Sequence, residues 1–283
     1  MGQIADALDA AISDLLPVVG DTARSECLLL MAFATGRQVS SLRLSLDDEL
    51  SDAHRLAFET AVAKRAKHQP ISQIIGYRDF WKHRFIVTPD VLDPRPDTET
   101  LIEKAVELGP FNSILDLGTG SGCILLSLLA EWPNAAGQGI DVSPAALDVA
   151  GKNAQTLSLM DRSEFILGDW CTGISVKYDL VVSNPPYITQ DAMDALQPDV
   201  RNWEPRMALT PEGDGLDAYR AIAIGVQNVL KDEGTLLLEI GYDQGQEVTQ
   251  ILVDQGMHDV QLFQDINGKD RVILARMPNR KTA

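Results

Sequence analysis

The sequence predicts an α/β protein in which a small bundle of helices precedes a mainly parallel, doubly wound sheet. From residue 97 onward, short apolar runs alternate with amphipathic stretches of helical length, an order typical of a sheet with helices on both faces. Before residue 76, the apolar residues recur mainly with the period of a helix. We therefore expect three parts, namely a helical domain of residues 1–75, a linker of residues 76–96 and a sheet domain of residues 97–283.

The first part is predicted to contain three helices. An apolar stripe predicts a helix over Ile4–Leu16, which we expect Pro17 to end. Similar patterns predict helices over Thr22–Thr35, closed by Gly36, and over Ser51–Lys67. In the third helix, the side chains expected to face the core are Leu56, Ala57, Val62 and Ala63.

The linker is predicted to be a β-hairpin followed by a stiff connector. Tyr77–Phe80 and Arg84–Thr88 are short aromatic and β-branched runs on either side of a turn. The connector, Pro89–Pro96, contains three prolines, each of which restricts the backbone. We expect this segment to join the helical part to the sheet.

The third part is predicted to contain the sheet and its covering helices. The predicted strands are Ser113–Leu117, Gly137–Asp141, Glu164–Leu167, Tyr178–Ser183, Gly234–Ile240, Val260–Gln264 and Arg271–Ala275. The predicted helices are Thr98–Leu108, Cys123–Glu131, Pro144–Thr156, Leu216–Leu230 and Gln244–Asp254. Ser143 immediately precedes Pro144, which is the order of an N-cap followed by a proline in the first helical turn.

The composition excludes several classes of protein. The chain has 283 residues and a formal net charge of -17, so non-specific binding to nucleic acid phosphates is a poor first hypothesis. The 3 cysteines form no C-x-x-C pair and the 4 histidines show no zinc-ligand spacing, so we expect no metal. Because the sequence shows neither a signal-peptide pattern nor an apolar run of about 20 residues, we expect a cytoplasmic protein.

A glycine-rich turn is the first candidate binding site. It follows the predicted strand Ser113–Leu117 and comprises Gly118, Thr119, Gly120, Ser121 and Gly122. Glycines let a backbone approach a ligand closely and a helix start offers free amides, although a purely structural tight turn needs the same residues. Asp141 ends the next predicted strand, where its carboxylate could accept hydrogen bonds from both hydroxyls of a ribose. Its alternative role is to cap the following helix, and the two roles can coexist.

The second candidate site follows the predicted strand Tyr178–Ser183. It comprises Asn184, Pro185, Pro186 and Tyr187. Two consecutive prolines cannot continue a central strand, so the chain turns at the carboxyl edge of the sheet. There the Asn184 side-chain oxygen and the Pro185 carbonyl can face one point, and two adjacent acceptors suit a planar NH₂ group. A rigid turn alone would explain the prolines but not the asparagine and tyrosine, so we favour a binding site.

These motifs together resemble a class I S-adenosylmethionine-dependent amino-group methyltransferase, which implies a Rossmann-like sheet. The tetrapeptide Asn-Pro-Pro-Tyr is similar to those of DNA adenine methyltransferases and of glutamine methyltransferases, so it indicates the acceptor nitrogen and not the substrate. Resemblance to the PrmC/HemK family of peptide chain release factor glutamine methyltransferases extends over flanking stretches, namely residues 69–76, 91–99, 200–209 and 213–220. Asp93 and Lys82 depart from the usual pattern of that family.

The resemblance implies methylation of the glutamine in the Gly-Gly-Gln loop of class I peptide chain release factors, which modulates translation termination. Asn184 and Pro185 would accept the two N–H bonds of the substrate amide, and Tyr187 would pack on its flat face, with Pro186 completing the substrate site. S-adenosyl-L-methionine, which leaves as S-adenosyl-L-homocysteine, would contact Gly118, Thr119, Gly120, Ser121, Gly122, Asp141, Asp169, Trp170 and Asn184.

Some roles have two interpretations at this stage. Asp116 either meets the ammonium group of the cofactor or orders the glycine turn, and Trp170 either contacts adenine or packs in the core. Arg95 and Glu99 either close over the site or pin the linker through an ion pair. The helical domain is expected to hold the body of the release factor, because an acidic surface suits a partner whose working surface is basic.

Two other classes of function are compatible with parts of the sequence. An adenine amino-group methyltransferase acting on nucleic acid would use the same tetrapeptide but should carry a basic recognition surface. A non-catalytic cofactor-binding subunit would keep the glycine turn but could lose Asn184. We therefore expect an enzyme that acts as a monomer, with no direct contact to nucleic acid and none to a membrane.

Overall fold

In the computed structural model, which describes residues 2–279, the chain divides into two compact units. The helical unit extends to Gly76 and also includes Gln197–Trp203. The sheet unit comprises Tyr77–Leu196 and the chain from Glu204 onward. The sequence pattern does not separate Gln197–Trp203 from its neighbours, so its membership of the helical unit is a finding of the structure.

The predicted helices and strands occur in the predicted order, and the described residues add four short helices and two short strands that were not predicted. The helices are α1 (Ile4–Val19), α2 (Ala23–Thr35), α3 (Val39–Leu42), α4 (Asp52–Arg65), α5 (Ile71–Ile75), α6 (Glu99–Leu108), α7 (Cys123–Glu131), α8 (Pro144–Thr156), α9 (Pro198–Arg201), α10 (Arg206–Leu209), α11 (Asp217–Val229) and α12 (Gly245–Asp254). The strands are β1 (Gly2–Gln3), β2 (Glu49–Leu50), β3 (Tyr77–Phe80), β4 (His83–Ile86), β5 (Ser113–Leu117), β6 (Ala136–Asp141), β7 (Ser163–Leu167), β8 (Tyr178–Ser183), β9 (Leu230–Glu239), β10 (His258–Gln264) and β11 (Asp270–Arg276). No helix among the described residues is both long enough and apolar enough to cross a membrane.

The helical unit corrects two predictions. Helix α1 runs through Pro17 to Val19, because a proline in the last turn removes only one main-chain donor. In α4, of the four residues predicted to face the core, only Val62 is buried, and Leu56 is 67% exposed. The other buried positions of α4 are Phe58, Ala61 and Arg65. Phe58 takes the core position, and the residues three, four and seven positions later share its face.

The segment Gln197–Trp203 is held in the helical unit by side chains. The Gln73 Nε2 group donates to the Trp203 carbonyl at 2.9 Å, and the Trp203 indole Nε1 donates to the Lys67 carbonyl at 3.2 Å. Asp199 lies 3.8 Å from Arg65, which also forms an ion pair with Glu26 at 2.6 Å. These contacts complete the helical unit with residues that lie far along the chain.

The sheet unit contains the predicted mainly parallel sheet. Its strand order is β10-β11-β9-β8-β5-β6-β7, and β11 is the strand that runs antiparallel to both of its neighbours. The strands β9, β8, β5, β6 and β7 are parallel, and apolar side chains are buried in two large clusters. Strand β9 begins at Leu230 and not at the predicted Gly234, because a register shift against β8 lets Leu230 pair with Tyr178. The carboxyl ends of the parallel strands meet at one edge, with the topological switch between β5 and β8.

The predicted hairpin consists of β3 and β4, and both departures from the family pattern have ion-pair partners there. Asp93 is 6% exposed and lies 3.8 Å from the Arg78 guanidinium. Lys82 pairs with Glu131 at 2.5 Å and lies over the ring of Trp81. Each departure therefore introduces a charge that a neighbouring residue of opposite sign balances.

Candidate active site

A cavity of about 810 Å³ opens at the carboxyl edge of the sheet. This volume is in the range of small-molecule and cofactor sites. The predicted site residues in its wall are Gly118, Gly120, Asp141, Asp169, Trp170, Asn184 and Pro186. The predicted site residues that the wall does not include are Thr119, Ser121, Gly122, Pro185 and Tyr187. The structure thus brings both candidate motifs to one cavity while keeping about half of their residues behind its surface.

The glycine turn places main-chain atoms at the cavity. Gly118 has a φ of +69° and Gly120 a φ of +55°, in the left-handed region that favours glycine. The amides of Gly118 and Thr119 both donate to the Ile140 carbonyl at 2.9 Å, which ties the turn to the end of β6. A Cβ at Gly118 would lie 3.7 Å from the Trp170 ring, on the cavity side. The turn is therefore a cradle that side chains would fill.

Asp141 connects the glycine turn to α8. Its Oδ2 accepts from the Gly120 amide at 2.9 Å, and its Oδ1 accepts from the Ser143 amide at 2.9 Å. Ser143 is the N-cap of α8, since its hydroxyl accepts from the Ala146 amide at 3.2 Å, and that prediction is confirmed. Each carboxylate oxygen has a second lone pair, so Asp141 can order the turn and still receive donors from the cavity.

Asp116 is fully buried beneath the turn. Its Oδ2 accepts from the Thr119 hydroxyl at 2.7 Å, whereas its Oδ1 is buried and no described group hydrogen-bonds it. Burial raises the pKa of Asp116 to about 7, because the charged form loses its hydration. The contact with Thr119 supports the role of ordering the turn, and because the cavity wall does not include Asp116, its contact with an ammonium group stays a prediction.

Trp170 occupies a backbone conformation that is unusual for a large side chain. Its φ is +47°, and its half-buried ring packs against the core while lining the cavity. Asp169 is exposed in the same wall. The interpretation that Trp170 packs in the core is confirmed, and its contact with adenine stays a prediction that its place in the cavity wall allows.

Asn184 follows β8 and reaches the cavity from the other side of β5. Its Nδ2 donates to the hydroxyl of Thr98 at 3.1 Å, and no donor among the described residues contacts its Oδ1. Pro185 is buried, and Pro186 lines the cavity. The side-chain amide of Asn184 therefore has one end held and an acceptor oxygen available.

Tyr187 turns its hydroxyl toward a buried carboxylate. Its Oη lies 3.5 Å from Glu239 Oε1, and its carbonyl accepts from the Gln244 side chain at 3.0 Å. Burial raises the pKa of Tyr187 above its usual value, with Glu239 adding to the rise. Burial likewise raises the pKa of Glu239 to about 7, opposed by hydrogen bonding from Thr98 and by the charge of Arg271.

The linker residues Arg95 and Glu99 are engaged away from the cavity wall. Arg95 Nη2 contacts both carboxylate oxygens of Glu204, at 2.6 and 2.8 Å. Glu99 accepts from the main-chain amide of Trp81 at 2.8 Å. These contacts support the interpretation in which both residues hold the linker in place. The ion pair of Arg95 is formed with Glu204 and not with Glu99.

Several residues at the site were not singled out from the sequence. The cavity wall also contains Asp90, Thr210 and Pro211, and Thr98 and Glu239 lie next to the second motif. A carboxylate inside the apolar run Leu236–Ile240 is a signal that could have identified Glu239. Within residues 2–279, no group of three or more side chains could hold a metal ion.

Comparisons with known proteins agree on the type of protein. The chain matches the model of the Methyltransferase small domain over residues 88–202 and that of the PrmC N-terminal domain over residues 6–76. It is 49% identical to the release factor glutamine methyltransferase of Cereibacter sphaeroides, over 97% of this chain and 98% of the relative. It is 42% identical to that of Caulobacter vibrioides, over 93% of each chain. The catalytic domain of hMettl16 shares the fold, with a TM-score of 0.56, 16% identity and coverage of 80% of this chain and 82% of that one.

Proposed function

The chain belongs to the family of release factor glutamine methyltransferases, and on that basis we propose that it methylates the side-chain amide nitrogen of a release factor glutamine. It is a methyltransferase with a Rossmann-like fold. The relatives give no support to the alternative of a nucleic-acid adenine methyltransferase. The observation that carries the proposal is Asn184, which brings an available amide oxygen to the wall of the cavity.

We propose that S-adenosyl-L-methionine binds along the glycine turn. The left-handed glycines and the buried, unsatisfied Asp116 Oδ1 suit a ligand with a polar, ammonium-bearing end. Gly118 and Gly120 would contact that end through the main chain, and Asp141 would hold the ribose. Asp169 and Trp170 would border the adenine. When bound, the cofactor supplies a methyl group activated by a sulfonium centre and leaves as S-adenosyl-L-homocysteine.

The remaining task of the protein is to present a weak nucleophile. The nitrogen of a carboxamide is a poor nucleophile because its lone pair is delocalised into the carbonyl. Asn184 Oδ1 and the Pro185 carbonyl would each accept one N–H of the substrate amide, which raises the electron density on nitrogen and fixes its direction. Tyr187 would limit the space around the flat amide. No strong base is needed before transfer, because the proton can leave once the nitrogen has become cationic.

We propose that the acceptor is the glutamine of the Gly-Gly-Gln loop of class I release factors, because a protruding loop tip can enter a cavity of this size. The helical unit would hold the body of the factor. The acidic charge of the chain would steer a partner with a basic working surface. We propose that the enzyme acts in the cytoplasm, as a monomer that contacts neither a membrane nor nucleic acid.

The proposal is tested with radiolabelled S-adenosyl-L-methionine and purified full-length protein. Three acceptors are compared: an intact class I release factor, the same factor with the loop glutamine replaced by alanine, and duplex DNA containing adenine. We expect label on the intact factor alone. Label on DNA, or equal label on the factor without its loop glutamine, would contradict the proposed acceptor.

A further inference from the structure

Thr98 lies at the start of α6, but its side chain does not cap that helix. A threonine at an N-cap usually accepts a main-chain hydrogen bond with its hydroxyl, yet Thr98 makes no such bond. The hydroxyl accepts from Asn184 Nδ2 at 3.1 Å, and the residue is only 2% exposed. A buried hydroxyl that contacts the side chain proposed to bind the substrate has a role that the helix does not explain.

Glu239 is a buried carboxylate within reach of the Thr98 hydroxyl. It ends β9 and is 1% exposed, and its Oε1 lies 3.5 Å from the Tyr187 hydroxyl. Its Oε2 is buried and has no hydrogen-bond partner among the described residues, and the nearby Thr98 hydroxyl lowers the pKa of the carboxyl group. An ionised carboxylate accepts hydrogen bonds and cannot donate them. The proton of the Thr98 hydroxyl is therefore directed to Glu239, and the lone pair of that hydroxyl is left for Asn184.

The direction of this chain of hydrogen bonds determines which way the Asn184 amide faces. Because Thr98 has only an acceptor to offer, Asn184 must turn its NH₂ group toward Thr98 and its Oδ1 away from it. A hydroxyl that was free to donate would tolerate the opposite orientation. The opposite orientation would present NH₂ to the NH₂ of a substrate amide, where no hydrogen bond can form.

We propose that Thr98 and Glu239 are positioning residues that orient the Asn184 side chain, so that its oxygen and not its nitrogen faces the substrate amide. The inference rests on the proposed role of Asn184. It assigns the acceptor specificity of the site to a buried carboxylate that touches neither cofactor nor substrate. Protonating Glu239 removes the fixed direction, because a carboxylic acid can also donate to Thr98.

The proposal also predicts a pH dependence of catalysis. Glu239 is faced by groups from several elements, namely Asp97 and Thr98 before α6, Cys123 on α7, Tyr187 after β8, Tyr219 on α11 and Arg271 on β11. Burial is the largest influence and raises the pKa of Glu239 to about 7. Burial raises the pKa of Asp116 to a similar value, but Asp116 lies beneath the glycine turn, where we propose that the cofactor binds. The titration of Asp116 should therefore change the affinity for the cofactor. The titration of Glu239 should instead change the turnover number at saturating cofactor.

The test compares four single substitutions in the full-length protein. Thr98→Val keeps the shape and removes the hydroxyl, Thr98→Ser keeps the hydroxyl, and Glu239→Gln offers a donor in place of the acceptor. Thr235→Val is the matched control, since Thr235 is a buried threonine in the middle of β9. Turnover number, KM for the release factor, Kd for S-adenosyl-L-methionine and Tm are measured for each protein between pH 6 and pH 8.

We expect Thr98→Val and Glu239→Gln to lower kcat about tenfold or more, with KM and the cofactor Kd within about twofold. Thr98→Ser should retain most of the activity, and Thr235→Val should match the unmodified protein. The rise of kcat between pH 6 and pH 8 should be lost in Thr98→Val. Unchanged kcat in Thr98→Val, or equal losses in kcat and cofactor binding, would overturn the proposal. If the unmodified protein leaves the release factor unlabelled, the proposed function fails instead, and this result is separate from the comparison of variants.

Discussion

The two walls of the cavity differ in what holds their functional groups in place. On the wall formed by the glycine turn, main-chain amides make the contacts, that of Gly118 to the Ile140 carbonyl and that of Gly120 to the Asp141 carboxylate. On the wall formed by the second motif, a chain of buried side chains holds Asn184 through Thr98. The first arrangement is sensitive to added atoms and to the loss of one carboxylate. The second is sensitive to the direction of hydrogen bonds and to protonation.

The largest expected effect separates the two walls directly. In Asn184→Ala the substrate amide loses one of its two acceptors, so we expect kcat to fall on the order of 1000-fold. The Kd for S-adenosyl-L-methionine should stay within about threefold, because the glycine turn is untouched. Single-turnover kinetics and isothermal titration calorimetry measure the two quantities. Asn112→Ala, at an exposed position before β5, is the control. A parallel loss of cofactor affinity would show that Asn184 contributes to cofactor binding or to the fold and not to the acceptor alone.

The second prediction concerns the opposite wall. Asp141→Ala removes the acceptor of two main-chain amides as well as the proposed ribose contact. Hydrogen bonds to a charged group contribute about 1.5–3 kcal/mol, so we expect the cofactor Kd to rise roughly 10-fold to 100-fold. Turnover at saturating cofactor should change much less. Calorimetry against Asp148→Ala, an exposed aspartate on α8, checks this. A change in kcat without a change in cofactor Kd would show that Asp141 acts on the acceptor amide, and would contradict the proposed division of roles between the two walls.

The third prediction concerns the free energy of unfolding that is lost when the buried carboxyl group of Glu239, behind the second wall, is ionised. The pKa of Glu239 is raised from 4.5 to about 7 in the folded protein, so the folded state binds this proton more tightly than the unfolded state does. The stability associated with the group is present below pH 4.5 and is lost as the pH rises through about 7. Glu239→Gln should therefore stabilise the protein at pH 8 relative to pH 5, by roughly 1–3 kcal/mol. Denaturant unfolding at both pH values measures this, with exposed Glu247→Gln as control. The same gain at both pH values would contradict a buried charge.

The smallest expected effect concerns space in the part of the glycine turn that lies behind the first wall. Gly122 has a φ of +78°, and an added Cβ would lie 3.1 Å from Leu126 and 3.2 Å from the Ala150 side chain. Gly122→Ala should therefore lower the free energy of unfolding by about 1–2 kcal/mol. Gly151 lies within α8, and its added Cβ would meet nothing within 4 Å, so Gly151→Ala should stabilise by about 0.5–1 kcal/mol. Thermal unfolding of the two variants measures both changes in stability. A lower stability of Gly151→Ala would show that helix propensity does not determine the effect at this position.

The first wall could be predicted from the sequence more fully than the second. The glycine turn, Asp141 and the Ser143 cap are all local patterns, in which a few neighbouring residues determine the conformation. The contact between Thr98 and Asn184 joins residues 86 positions apart, and Glu239 lies further still along the chain. The pairing of β8 with β9 and the packing of α6 against β9 bring them together, and nothing in the local sequence reports those contacts.

The same distinction applies to the fold. All strands of the large sheet could be predicted, because each is a continuous or alternating apolar run. The buried face of α4 could not, since Leu56 and Phe58 are both apolar and only the neighbouring helices decide which is enclosed. The exposed Leu56 shows that helical periodicity gives a set of possible faces and that tertiary packing selects one of them.

The membership of Gln197–Trp203 in the helical unit has a consequence for synthesis on the ribosome. The helices of residues up to Gly76 leave the ribosome first, but the contacts of Gln73 and Lys67 with Trp203 must wait until β8 and the Asn-Pro-Pro-Tyr segment have also been made. The helical unit therefore completes its packing only after the residues of the acceptor wall exist. A nascent chain stalled before Gln197 should expose a surface on these helices, and that surface would be a binding site for chaperones.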